Sequence, residues 1–258
     1  MNIPLHPNKP LQETADCLLE IGCLLMASGA STNRIRITME RIADGLGYET
    51  ETLTTQRTIF VLVKDLKTQE VYNSFKKTPP HGANFTLVSG ISKMSWQVIE
   101  EKWELNQIKE ELNRLTKLNR YPLLITMIFV SFADAGFCRL FGGEYIDLCT
   151  TFVATFIAFL VRHYALSIKF NPYLSIVFAS FTACLITSFA RFFGIGNHPD
   201  LAFATAVLFL IPGVPLINSF SDILDGHIMN GMVRGTNAMV IAFCISLGML
   251  VTMLIFNF

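Results

Sequence analysis

The chain of 258 residues carries 20 Lys+Arg against 20 Asp+Glu, and this zero net charge excludes the basic surface that nucleic-acid binding needs. Hydrophobic residues make up 52% and charged residues only 16%; the second figure is below the roughly 25% of a soluble domain and argues against a soluble enzyme. The charge is also segregated, since residues 1–120 hold 15 of the 20 cations and 14 of the 20 acids, so a water-facing first part precedes an apolar second part.

The N-terminus, Met1-Asn2-Ile3-Pro4-Leu5-His6-Pro7, lacks the basic start and apolar run of a cleaved signal peptide. Leu11, Ala15, Leu18, Leu19, Gly22, Leu25 and Met26 then share one face of a helix over residues 11–28. Ser28-Gly29-Ala30-Ser31-Thr32 supplies a glycine stop and a hydroxyl N-cap. A second helix follows with Ile35, Met39, Ile42, Ala43 and Leu46 inward, ended by Gly45 and Gly47. Residues 50–63 are rich in Thr, Ile, Val and Phe and read as strand, with Thr68–Phe75 as a hairpin partner. Pro79-Pro80-His81-Gly82 is a break. A single long amphipathic helix is expected over about 91–118, with Ile91, Val98, Leu105 and Leu112 at sevens beside Met94, Ile108 and Leu115. It packs on its own domain or, alternatively, on a partner helix or the membrane surface. Together these elements form a cytosolic α+β domain, residues 1–119.

A helix needs ~20 apolar residues to cross a hydrocarbon core about 30 Å thick. Residues 120–258 supply five such spans, at about 121–141, 145–166, 173–191, 201–221 and 236–257. The fold class is therefore an α-helical integral membrane protein, five transmembrane helices preceded by a cytosolic α+β domain. Lys109, Arg114, Lys117, Arg120, Arg162, Lys169 and Arg234 fall on one side of this arrangement, with only Arg139 and Arg191 on the other. That asymmetry puts the N-terminus in the cytoplasm. The six cysteines form no CxxC pair and no Cys/His cluster, so neither a metal nor a cofactor is expected.

The densest polar chemistry lies in LIPGVPLINSFSDILDGHIMNGMVRG, residues 210–235. Pro212 and Pro215 fall inside the fourth span, and irregular backbone at membrane depth survives only inside protein or beside a water-filled cavity. Broken spans recur in secondary transporters, where freed N–H and C=O groups meet a polar substrate or ion; the alternative is an interfacial loop with a proline kink. Asn218, Asp222, Asp225, His227 and Arg234 follow. The two aspartates are proton carriers or solvated loop charges, His227 a titrating or simply packed residue, and Arg234 a carboxylate holder or a positive-inside charge. Gly231 and Gly235 form a GxxxG that permits close helix packing. Asp134, some 14 residues into the first span, is a candidate by its depth alone. Asp147 follows a tight turn at Gly142-Gly143 and is a pathway residue or a helix-start carboxylate. No GxSxG, P-loop, HExxH or Rossmann glycine pattern is present in the sequence, so no catalytic residues are assigned.

Three segments, LLMASGASTNRIRITMERIADGLG at 24–47, LFGGEYID at 140–147 and PGVPLINSFSDILDGHIMNGMVRG at 212–235, resemble the threonine/serine exporter (ThrE) family, in particular the YjjP-type larger subunit of its split form. The resemblance implies gradient-driven export of small hydrophilic metabolites across the bacterial inner membrane. Succinate or another dicarboxylate is the favoured substrate, protons the coupling ion, and threonine or serine the alternative cargo. It also implies a partner, a small YjjB-like membrane subunit that supplies further spans. The matching positions are Gly29, Ser31, Thr32, Arg34, Gly142, Gly143, Asp147, Pro212, Pro215, Asn218, Asp222, Gly226, His227, Gly231 and Arg234. On this reading Arg234 holds a substrate carboxylate, Asp222 or Asp225 exchanges protons, and a dicarboxylate requires a second cation, Arg162 or Arg139. The competing classes are a membrane-tethered hydrolase with its site in residues 1–118 and a sensor or scaffold that relays through helix 91–118.

Overall fold

The computed structural model describes residues 9–79, 82–118 and 121–256. The N-terminal heptapeptide, the break at Pro80-His81, the charge at Arg120, the 119/120 boundary and the end of the fifth span at 257 lie outside the described residues. The chain forms two compact units, Met1–Asn119 with Val214–Gly235, and Arg120–Gly213 with Thr236–Phe258.

The first unit begins with α1 (Lys9–Ala27) and α2 (Thr32–Gly45), then β1 (Tyr48–Thr54), β2 (Thr58–Asp65) and β3 (Val71–Lys77), then α3 (Phe85–Glu100) and α4 (Leu105–Thr116). All seven apolar positions expected on α1 are buried. The helix stops where glycine allows it: Gly29 has φ +89°, and Ala30 N donates to Leu25 O while Gly29 N donates to Met26 O. This is the left-handed C-terminal motif that needs no Cβ. Ser31 then caps α2 by accepting from Arg34 N, as a hydroxyl N-cap should. Five of the six cysteines are buried thiols, and burial pushes the Cys17 thiol up to about 11, so it packs as a small neutral hydrophobe.

Two expectations change here. Residues 50–63 are two strands rather than one, in an antiparallel β1-β2-β3 meander with Thr52 opposite Val61 and Val61 opposite Ser74. The turn between the first two is closed by Thr55 N donating to Thr58 O and Thr58 N to Thr55 Oγ1. A threonine does there what Gly or Pro usually signals, so the turn left no mark in the composition. The helix expected over 91–118 is broken into α3 and α4. Lys102 takes φ +52°, and Glu104 opens a new helix through a capping box in which Glu104 N donates to Gln107 Oε1 at 2.8 Å. The apolar stripe survives the fold-back: Ile91, Met94 and Val98 on α3 and Ile108, Leu112 and Leu115 on α4 are all buried with Ile59, Val61 and Val63 of β2.

The second unit contains α5 (Leu123–Leu140), α6 (Tyr145–Ser167), α7 (Pro172–Phe192), α8 (Pro199–Thr205), a 3-10 turn (Leu208–Leu210) and α10 (Ile228–Phe256) from Thr236 onward. α6 packs against both α5 and α7. The core is built of small side chains, Ala154, Ala158, Ala179, Ala183, Cys184, Ala206 and Cys244 among them. Large apolar side chains such as Phe129, Phe132, Phe243 and Leu254 face outward. Small residues inside and bulky apolar ones outside suit helices in lipid. Among the described residues four helices, α5, α6, α7 and α10, are long and apolar enough to cross a membrane. The fourth expected span is not one helix but a bent pair, Pro199–Leu210 and α9 (Gly213–Leu224), a fifth crossing when the pair is counted as one. α10 starts at Ile228, eight residues earlier than expected, so Arg234 lies within a helix.

α7 and α10 approach closely at Gly248, where an added Cβ would lie 2.6 Å from Val177 O and 2.7 Å from Phe181 N. Backbone cannot step aside as a side-chain tip can. Gly248→Ala is expected to cost about 1–3 kcal/mol in thermal unfolding of the detergent-solubilised chain, whereas Gly136→Ala, with nothing within 4 Å, should not destabilise it.

Candidate functional site

Two polar clusters stand out, one in each unit. In the first unit the two sequence motifs at 29–34 and 212–235 meet. Asp222 on α9 is fully buried, and its carboxylate accepts from Thr32 N at 2.8 Å and Thr32 Oγ1 at 3.0 Å. Arg234 on α10 completes the set with Nε 3.3 Å from Asp222 Oδ2. The carboxylate thus sits at the start of α2, where unpaired N–H groups and the helix dipole favour negative charge. The carbonyls of the α1–α2 turn are taken up from the same side: Asn218 Nδ2 donates to Gly29 O at 2.8 Å and Arg234 Nη2 to Ala30 O at 3.2 Å. Asn230, which the sequence did not single out, donates to Thr32 Oγ1 at 3.2 Å and to Thr54 O at 2.9 Å.

The glycines of the second motif make this approach possible. A Cβ on Gly231 would be 2.5 Å from Ile223 Cγ1, and one on Gly235 would be 2.8 Å from Ser219 Oγ; Ser219 Oγ donates to Gly231 O at 2.7 Å. Gly226, with φ +84°, ends α9 in the same left-handed motif seen after α1, with His227 N donating to Asp222 O. Asp225 is exposed and His227 half-buried, and neither side chain joins the cluster. Arg34 is exposed and lies outside this cluster as well.

In the second unit the centre is Asp134 on α5, which is 3% exposed. Its Oδ2 accepts from Thr155 Oγ1 of α6 at 3.1 Å and from Phe209 N of the 3-10 turn at 3.3 Å. No cation pairs with it among the described residues. Phe209 lies in the stretch where the helix has ended and before it restarts, so the carboxylate meets an amide that irregular backbone has freed. Pro212 is buried at this break, and Pro215 sits in the first turn of α9, where a helix has no use for its N–H. The proline pair therefore breaks the span at one place rather than kinking it twice.

Asp147 behaves as a helix-start carboxylate. It accepts from Glu144 N at 3.0 Å and holds the loop before α8 through His198 N, 3.2 Å from both oxygens. Gly142, at φ +104°, and Gly143 form the tight turn before it. Arg139 is committed locally, donating to Gly143 O at 3.1 Å. Arg162 is not: its Nε is buried with no hydrogen-bond partner among the described residues. It lies seven residues beyond Thr155, about 10 Å along the same buried face of α6. Thr151 and Thr155 share that face at a spacing of four, a signal present in the sequence but indistinct among apolar neighbours.

A family model described as "Putative threonine/serine exporter" (ThrE) matches residues 16–256. The chain is 25% identical over 238 residues to a protein of Klebsiella aerogenes named "Probable succinate transporter subunit YjjP", covering 91% of this chain and 92% of that protein. It is 24% identical over 237 residues to the protein of the same name from Escherichia coli K12, with the same coverage. No solved structure matches. The match across nearly the whole chain, on helices fit to cross a bilayer, makes this an integral membrane protein that belongs to the threonine/serine exporter (ThrE) family.

Proposed function

We propose that the chain is the larger subunit of an inner-membrane secondary exporter of small carboxylates, with succinate or another dicarboxylate as substrate. It works with a second, small membrane subunit of the YjjB type, and its N-terminus and residues 1–119 face the cytoplasm. The observation that carries this reading is Asp134, a carboxylate inside a candidate span that meets a hydroxyl and a freed backbone amide but, among the described residues, no cation. An ionisable group so placed is costly and marks an ion path. Asp134 is the proton carrier, Arg162 the cation that receives a substrate carboxylate, and the break at 206–212 the element that yields. Asp222 and Arg234 bond to each other, Asp222 also to Thr32 and Arg234 to Ala30 O, so they act as a latch on the α1–α2 turn before they act on substrate. The names of the relatives support succinate and a subunit role, and the family description favours threonine or serine as the second reading.

Everted vesicles from cells that make this chain and its partner should accumulate labelled succinate when the lumen is acid, and release it when the gradient collapses. Accumulation of threonine or serine instead would select the second reading; no accumulation of any of them would sink both.

A further inference from the structure

α2 carries two arginines seven residues apart, Arg34 and Arg41, which a helix places on one side. With Ser31, Asn33, Ile37 and Thr38 of the same segment, and Ser92 and Trp96 of α3, they line a cavity of about 340 Å³. That volume lies within the ~300–1,000 Å³ range of small-molecule sites. Among the described residues no acidic side chain lines it. Elsewhere in this unit Arg36, Arg114 and Arg234 each meet a carboxylate, on Glu40, Glu111 and Asp222. Arg34 has no side-chain partner among the described residues. Arg41 has, among the described residues, only a neutral one, Ser95 Oγ at 3.0 Å, and its guanidinium lies 3.7 Å from the centre of the Trp96 ring.

We infer that this cavity is a binding site for a small dianion, a dicarboxylate or a phosphate. Stacking on Trp96 and the bond to Ser95 orient the Arg41 fork before any ligand arrives, so little freedom is lost on binding. Arg34 supplies the second charge-assisted contact. Hydroxyl and amide groups on Ser31, Asn33 and Ser92 are available to the remaining oxygens, and Ile37 with Trp96 offers an apolar wall for a short carbon chain. Two unneutralised guanidinium groups sharing one cavity repel each other, and a ligand with two negative ends removes that repulsion. The site is distinct from the Asp134 cluster and stands whether or not the chain exports carboxylates. It also adjoins Thr32, the residue that Asp222 holds, so an occupied cavity acts on the start of α2.

Trp96 makes the test direct, because the chain has only two tryptophans and Trp103→Phe leaves Trp96 as the sole reporter. The full chain in detergent is titrated with succinate and, separately, with inorganic phosphate, at ionic strength held constant with KCl. A saturable change in Trp96 emission is expected with at least one dianion; succinate alone would identify a dicarboxylate site and phosphate alone a phosphate site. Arg34→Gln and Arg41→Gln should each weaken the response about tenfold, and Arg41→Lys, which keeps the charge but loses the fork, should weaken it too. Arg114→Gln, outside the cavity and paired with Glu111, should not. No saturable response to either dianion, or equal affinity in chains carrying Arg34→Gln or Arg41→Gln that retain parental helicity by circular dichroism, would overturn the assignment.

Discussion

Asp134→Asn is expected to abolish gradient-driven accumulation of substrate in everted vesicles, a loss of about 100-fold or more, while the chain stays folded. The asparagine oxygen still accepts from Thr155 Oγ1 and Phe209 N, the two bonds that Asp134 makes. What disappears is the capacity to take up and release a proton next to the freed backbone. Exchange of labelled for unlabelled substrate, which needs no net proton movement, should persist. Asp134→Glu should restore part of the driven transport, because the longer acid keeps the proton at the cost of geometry. Parental rates with the same dependence on lumenal pH in Asp134→Asn would remove this residue from the proton path.

Asp222→Ala and Arg234→Ala are expected to destabilise the first unit by about 3 kcal/mol each, the low end of what breaking a buried ion pair costs. The low end applies because Asp222 is fully buried but the Arg234 side chain is 21% exposed. Removing Asp222 also strips Thr32 N and Thr32 Oγ1 of their acceptor, so hydrogen exchange at the start of α2 should accelerate. The double variant should cost less than the two singles together, since no charge is then left orphaned. Thermal unfolding with a double-mutant cycle checks this. Coupling near zero would mean that the pair is not a latch, and loss of transport at unchanged stability would move both residues back to the substrate path.

Local chemistry was readable in the sequence wherever neighbours in the chain decide the outcome. The apolar face of α1, the Gly29 stop and Ser31 cap, and the Gly142-Gly143 turn depend on residues three to five apart, and the structure has them. The long helix over 91–118 misled because its heptads continue across Glu101-Lys102-Trp103-Glu104. The Glu104–Gln107 capping box was the local sign of a new start, and the apolar repeat outweighed it. The strand break at Thr55 was hidden for the opposite reason, as a turn made by a β-favouring residue.

By itself the sequence determined that long apolar helices follow a charged α+β segment, and that 212–235 is a chemically unusual stretch. Only the tertiary structure decided what that stretch does. Asp222 finds Thr32 across 190 residues, Asn218 finds Gly29 across 189, and Asp134 finds the Phe209 amide across 75. Hydrophobic period and capping act over a few residues and are written locally. The partner of a buried carboxylate is set by how helices pack, and no local pattern in the chain encodes it.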